Sequence, residues 1–174
     1  MNSKELLYSV DGSSEQYTPD YAVKPILKYI PKNKVIWLPF DLPNSEYVKV
    51  FQANGYKIIH SHIAEGKDFF KYEPKDHWDY IVGNPPFKNK KAFFERALDL
   101  GKPFALLMTL TIFNDRNPAF CFYDRNRQMQ LLKFDKRIHF KDINGVVKKK
   151  TTFSSGYICC DFLPKDLILE ELVK

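Results

Sequence analysis

Glycine is scarce in this chain. There are 7 in 174 residues, and the stretch "LPFDLPNSEYVKVF" at 38–51 has none. Any ligand met there must be held by side chains or a helix end, not by a glycine-bared backbone. Cysteine is scarcer still: Cys121, Cys159 and Cys160, an odd number with two of them adjacent in an apolar run. That excludes a disulfide framework and a four-thiolate zinc site, and leaves buried reduced thiols. No apolar run is long enough to cross a bilayer. The start, "MNSKELLYSVDGSS", lacks a signal peptide's apolar core and cleavage site. The expectation is a cytoplasmic soluble protein without a membrane partner. Internal repeats and low-complexity tracts are also missing.

Aromatic residues are plentiful, with 15 Phe and 10 Tyr among 44% apolar residues. A chain of this length can build one domain with a substantial core. The formal net charge is +6. Cations cluster at Lys88, Lys90 and Lys91, at Arg125 and Arg127, and at Lys148, Lys149 and Lys150. Such clusters can neutralise phosphates, and equally can form a solvated face with no partner.

Residues 1–16 read as a flexible lead-in and 17–174 as a single domain. Thr18 and Pro19 suit the start of a helix, with a kink or restart at Pro25. "VIWLPF" predicts a strand stopped by Pro39. Ser45 offers an N-cap for "EYVKVFQAN", which Gly55 ends. "YKIIHSHI" predicts a second strand, and "EGKDFFKYEPKD" a loop with room for a short edge strand. "WDYIVG", the helix "KKAFFERALDLG" and the strand "PFALLMTL" follow. After residue 112 the pattern turns polar and aromatic, a loop and then a helix. "KFDKRIHF" and "SGYICCDFL" predict two strands, with an Asn144-Gly145 turn between them. "PKDLILEELVK" predicts a short amphipathic helix. Continuous apolar strands alternating with helices indicate a doubly wound, mostly parallel α/β sheet, here with an antiparallel C-terminal hairpin.

The segment with most chemistry is "YIVGNPPFKNKK" at 80–91. Two adjacent prolines cannot continue a strand, so Asn84-Pro85-Pro86-Phe87 is a rigid loop at a strand's carboxyl end, where open α/β sheets bind ligands. Such a loop holds a side-chain amide oxygen and the Pro85 carbonyl together as two acceptors, and Phe87 adds a flat face. Two acceptors and a ring suit an exocyclic amino group on a planar base. Accepting both its hydrogens draws the nitrogen toward a tetrahedral shape and frees its lone pair for attack on an electrophilic methyl. The plain alternative is a stiff loop with a buried Phe.

Asn84-Pro85-Pro86-Phe87 resembles the (Asp/Asn)-Pro-Pro-(Tyr/Phe) signature of amino-methyltransferases that use S-adenosylmethionine (SAM). The order of motifs resembles the gamma group of adenine-N6 DNA methyltransferases, over roughly residues 17 to 163, and a small phage- and prophage-borne subset of them. Tyr17-Thr18-Pro19 stands for the early Thr-Pro segment that helps cover SAM. Pro39-Phe40 stands for the turn after the first strand, and Asp68-Phe69 for the pair that holds the SAM adenine. The resemblance implies a Rossmann-like methyltransferase fold and methyl transfer to adenine N6 in DNA. It implies that Asn84 and Pro85 hold the target amino group, that Pro86 stiffens the loop and that Phe87 stacks on the base. Phe153 would be a second ring on that base. Lys88, Lys90, Lys91 and Lys148–Lys150 would meet the backbone of DNA, or of RNA.

Two departures from that family stand out. The first loop has no glycine, so Ser45 at a helix N-terminus would meet the carboxylate of SAM and Asp41 its ammonium. The second strand ends "HSHI", with no acid for the ribose hydroxyls. His60 and His62 face the same way on a strand, but no third metal ligand is evident, and no metal is expected. Packing roles remain open for Asp68, as a turn cap, and for Phe69 and Phe153, as core. Two other readings also stay open: an RNA or protein amino-methyltransferase with the same motif, and a non-catalytic methyltransferase fold that binds nucleic acid or protein.

Overall fold

Apolar residues in the central strands divide between two faces. In β1 (Val35–Leu38), Ile36 and Leu38 enter one core and Trp37 the other. In β4 (Phe104–Thr109), Ala105 and Leu107 face the first core, and Phe104, Leu106 and Met108 the second. A strand covered on both faces has no position for a polar residue, which is why these segments read as unbroken apolar runs. The computed structural model describes residues 17–86, 88–114, 116–142, 144–147 and 151–174. The expected lead-in at 1–16, together with Phe87 and Lys148–Lys150, lies outside the described residues.

The remaining strands are β2 (Lys57–His60), β3 (Tyr80–Gly83), β5 (Gln130–Phe134), β6 (Ser155–Cys160) and β7 (Leu167–Glu170). They form one sheet in the order β2-β1-β3-β4-β6-β5-β7. The first four are parallel; β6 runs antiparallel between β4 and β5, and β7 pairs parallel with β5. The fold is therefore the expected mostly parallel α/β sheet with an antiparallel hairpin, β5–β6.

One face carries α1 (Asp20–Val23), the 3-10 turn Lys24–Tyr29 and α2 (Glu46–Ala53). The chain passes from α to 3-10 geometry at Lys24, beside Pro25, the restart expected where an N–H is missing. Ser45 caps α2 by accepting from Val48 N–H at 3.2 Å, and Gly55 leaves it at φ 76°. The other face carries α3 (Lys90–Asp99) and α4 (Arg116–Tyr123). Phe93, Phe94, Ala97 and Leu98 are the buried stripe of α3, at helical spacing. Among the described residues no helix is long and apolar enough to cross a membrane. All three cysteines are free and buried.

Two expectations need correction. The C-terminal segment is not a helix: Leu167–Glu170 is the edge strand β7. The outer edge of β5 would otherwise present unpaired backbone groups. Pairing of Leu131 N–H with Asp166 O and of Asp135 N–H with Glu170 O outweighs a helix of so few residues. The expected strand over 133–140 lies earlier, at Gln130–Phe134, and 135–140 is not strand. There Gln130, buried at the sheet's end, holds the chain reversal after β6. Its Nε2 donates to Leu163 O at 2.7 Å, and its Oε1 accepts from Phe162 and Leu163 N–H at 2.9 Å each. The Asn144-Gly145 turn is present, with Gly145 at φ 77° and its N–H on Asp142 O at 3.0 Å. No strand forms within 65–76, which is turns and a 3-10 segment.

Gly156 lies where β6 presses against β5. A Cβ there would stand 2.7 Å from the Leu132 carbonyl oxygen, 3.2 Å from Leu131 Cδ1 and 3.3 Å from Leu110 Cδ2. A backbone carbonyl in a paired strand cannot swing aside, so Gly156→Ala should cost about 1–3 kcal/mol by overpacking. Urea unfolding should show a lower midpoint with an unchanged slope.

Candidate active site

Strand order reverses at β1: β2 lies on one side of it and β3 on the other. The carboxyl ends of β1 and β3 therefore frame the crevice where ligands of open α/β sheets bind. The chain leaves β1 as Pro39-Phe40-Asp41 and leaves β3 as Asn84-Pro85-Pro86. Gly83, the last residue of β3, makes the approach of these two exits possible. A Cβ on it would lie 2.8 Å from Phe40 Cδ2 and 3.8 Å from Asp41 Oδ2. Gly83→Ala would push the Phe40 ring, a side chain able to turn, so the expected loss of stability is modest, roughly 1 kcal/mol. Urea unfolding should therefore show only a small fall in midpoint.

Asp41 is held in place by its backbone. Its N–H donates to Ser61 O, and Ser61 N–H to Leu38 O, each at 3.0 Å. Trp37 Nε1 donates to Ser61 Oγ at 2.9 Å. Asp41 is 6% exposed, and its buried Oδ2 has no hydrogen-bond partner. Burial pushes its pKa up to about 7, and a hydrogen bond from Ser45 pulls the other way. A buried, half-partnered acid at a sheet's switch point is a ready acceptor for a cation.

Asn84 is half-buried, and its Nδ2 donates to Thr18 Oγ1 at 3.0 Å. Pro85 is buried and Pro86 half-buried. Thr18 and Pro19 are buried beside this loop, whereas Tyr17 is 37% exposed and makes a two-bond backbone bridge to Lys141. Behind Thr18 stand two tyrosines that sequence reasoning missed. Tyr47 and Tyr157 share a 2.9 Å hydrogen bond, and Tyr157 donates to Ala22 O at 3.1 Å. A tyrosine inside the apolar run "SGYICC" was the available signal, since a buried phenol needs a polar partner.

The other candidates are more dispersed. Asp68 Oδ1 accepts from Phe70 N–H at 3.0 Å and so caps a turn. Phe69 is fully buried, with ring centres 5.5 Å from Trp37, 5.0 Å from Phe40 and 6.1 Å from Phe93. Phe153 is half-buried against Phe140, 6.1 Å between centres. Lys90 reaches Thr111 Oγ1 at 2.8 Å, tying the start of α3 to the carboxyl end of β4. Lys91 pairs with Glu95 at 3.5 Å, and Lys88 is exposed. His60 ends β2 half-buried with Nδ1 unpartnered, whereas His62 Nδ1 accepts from Ala64 N–H at 3.1 Å. Among the described residues no group of three or more His, Cys, Asp or Glu could hold a metal ion.

No protein-family model matches the chain, and no curated protein does. Among solved structures it is similar to a type I restriction-modification system methyltransferase subunit from Streptococcus thermophilus. That likeness has TM-score 0.49 and 8% identity over 95% of this chain, which spans 47% of the other. It is also similar to a release factor-specific protein-(glutamine-N5) methyltransferase from Alicyclobacillus acidocaldarius, with TM-score 0.42 and 14% identity over 81% of this chain and 89% of that one. At these values the likeness assigns neither activity nor substrate.

Proposed function

We propose that this chain is a SAM-dependent methyltransferase acting on the N6 amino group of adenine in DNA. The observation that carries the reading is Asn84-Pro85-Pro86 at the carboxyl end of β3, on the crevice where strand order reverses, directly after Gly83, whose backbone lies beside the buried acid Asp41. The residues fit the donor. The unpartnered Asp41 Oδ2 suits an ammonium group. The first turn of α2 after Ser45 offers N–H groups to a carboxylate. At the end of β2, where family members have an acid, His60 Nδ1 is a buried nitrogen able to meet a ribose hydroxyl. Asp68, Phe69 and the half-buried Phe40 and Phe70 border the adenine side.

SAM supplies the electrophilic methyl when bound. Asn84 Oδ1 and the Pro85 carbonyl would accept the two hydrogens of the target amino group. Both acceptors lie on one rigid loop and would draw the nitrogen toward a tetrahedral shape with its lone pair free to react. The amino proton leaves to water after transfer, and no separate base is needed. A base inside a duplex must be flipped out to reach this pocket. Lys88, Lys90 and Lys91, directly after the clamp, would steady the DNA backbone, with Lys148–Lys150 and Phe153 as further contacts. Site recognition would come from the segments 112–130 and 141–155 or from a partner.

Incubation with radiolabelled-methyl SAM and separate DNA, RNA and protein pools tests the reading. Label is expected in DNA, on N6-methyladenine after digestion. Label in RNA or protein would keep the chemistry and replace the substrate. No label in any pool, with no SAM binding by calorimetry, would leave a non-catalytic binding module.

A further inference from the structure

Among the described residues, the exposed large aromatic side chains are Tyr17, Phe113, Phe120 and Tyr123. All but Tyr17 lie between 113 and 123, on the 3-10 turn Leu110–Asn114 and on α4. Their neighbours in sequence face inward. Ile112, Cys121 and Phe122 are buried in the second core, and the Phe122 ring centre lies 5.3 Å from Phe94 and 5.9 Å from Phe104. The segment is anchored by these residues. The outward rings, 48%, 39% and 78% exposed, add little burial. They are not scattered singly: the Phe120 and Tyr123 ring centres are 5.8 Å apart, and the exposed Arg116 sets its guanidinium 4.3 Å from the Phe120 ring centre. A grouped, exposed set of rings with no packing role marks a contact surface.

This surface adjoins the crevice. β4 pairs parallel with β3, Gly83 opposite Leu106, so the turn that leaves the carboxyl end of β4 emerges beside the Asn84-Pro85-Pro86 loop. Lys90, at the start of α3, reaches into that turn at Thr111.

Charge and ring faces together select the occupant. The chain carries a net +6. The described acids of this flank are neutralised or peripheral: Glu95 pairs with Lys91 at 3.5 Å, Asp99 pairs with Arg125 at 2.9 Å, and Asp124 lies past the end of α4. Exposed rings interleaved with a cation suit an anionic chain that carries flat groups, which is a nucleic-acid strand. Within a duplex the base faces are covered by their neighbours, and only unpaired bases can stack on a protein ring.

We propose that Phe113, Phe120 and Tyr123, with Arg116, form a docking surface for an unpaired nucleic-acid strand beside the clamp. Bases stack on the rings, and Arg116 meets a phosphate. The link to methyl transfer rests on the proposed function, but strand binding is testable without it. A strand already unpaired offers its target base without the cost of flipping it from a duplex. The preferred substrate is therefore single-stranded or locally melted.

Fluorescence anisotropy without cofactor measures binding of labelled single-stranded DNA, single-stranded RNA and duplex DNA of one sequence. Either unpaired strand should bind more tightly than the duplex, and the tighter of the two names the source. Tyr123→Ala should weaken unpaired-strand binding about tenfold, the worth of one stacked base, and leave duplex affinity within about twofold. Tyr123→Phe keeps the ring and should bind like the wild type. Arg116→Gln should lower the slope of log affinity against log salt by about 0.7. Tyr123 is 78% exposed, so Tyr123→Ala should keep the wild-type urea midpoint. Equal affinity for duplex and unpaired strands, or strand binding untouched by both Tyr123→Ala and Phe113→Ala, would overturn the proposal. So would a wild-type dimer in sedimentation that Tyr123→Ala dissociates, which would make this a protein interface. Strand binding without methyl transfer to any pool would remove the proposed function and leave the surface standing. Methyl transfer with strand affinity unchanged in Tyr123→Ala would do the reverse.

Discussion

Replacing Asn84 by alanine should reduce methyl transfer to DNA by on the order of 10²–10³-fold in kcat, the usual cost of removing one preorganised polar contact to a reacting group. Affinity for S-adenosylhomocysteine should stay nearly constant. The reason for the split is position. In the proposed function Asn84, after β3, would hold the acceptor, whereas Asp41 and the start of α2, after β1, would hold the donor. Stability should change little, because the hydrogen bond to Thr18 is lost at a half-buried position. That loss is worth about 1 kcal/mol. Single-turnover rates and calorimetry on the same preparation separate the two effects. A variant that transfers methyl at the wild-type rate would remove Asn84 from the target-amino contact.

The second large effect is a pH dependence of stability set by Asp41. Burial raises its pKa in the folded chain to about 7 from an ordinary 3.8. Below pH 4 both folded and unfolded chains carry the proton. Between about 4 and 7 the unfolded chain has lost it and the folded chain keeps it, so the unfolded state binds fewer protons and stability falls as pH rises. The loss over that window is roughly 4 kcal/mol from this one group. A hydrogen bond from Ser45 opposes the rise, and Tyr47 and Tyr157, whose own pKa values burial and the Asp41 charge push up, stay neutral there. Urea titrations from pH 4.5 to 8 should show this decline in the wild type and a flatter profile in Asp41→Asn. S-adenosylhomocysteine, whose ammonium would compensate the carboxylate, should stabilise the wild type more at pH 8 than at pH 5. An equal decline in Asp41→Asn would place the titrating group elsewhere.

The parts of the fold legible in the sequence are those decided by near neighbours. Ser45 and Gly55 bound α2 because a cap and a left-handed exit are satisfied within one turn of the helix. Apolar runs marked β1, β3 and β4 as doubly covered, and two prolines after β3 could only be a loop. The C-terminal strand was not legible, since "LILEEL" suits a helix locally and only the open edge of β5 makes it a strand. The alternation of β5, buried at Gln130, Leu132 and Phe134, was masked by the polar segment before it.

The sequence by itself determined the layered α/β plan, the crevice loop Asn84-Pro85-Pro86 and the glycine-free exit from β1. Each depends on residues a few positions apart. Tertiary structure alone decided how those parts act together. The Asn84–Thr18 bond joins residues 66 apart, Tyr47–Tyr157 joins residues 110 apart, and Tyr157–Ala22 joins residues 135 apart. The burial that gives Asp41 its shifted pKa likewise comes from chain packed over it, not from its neighbours in sequence. Long-range hydrogen bonds and desolvation are properties of an enclosed site, and no local pattern encodes which groups will enclose it.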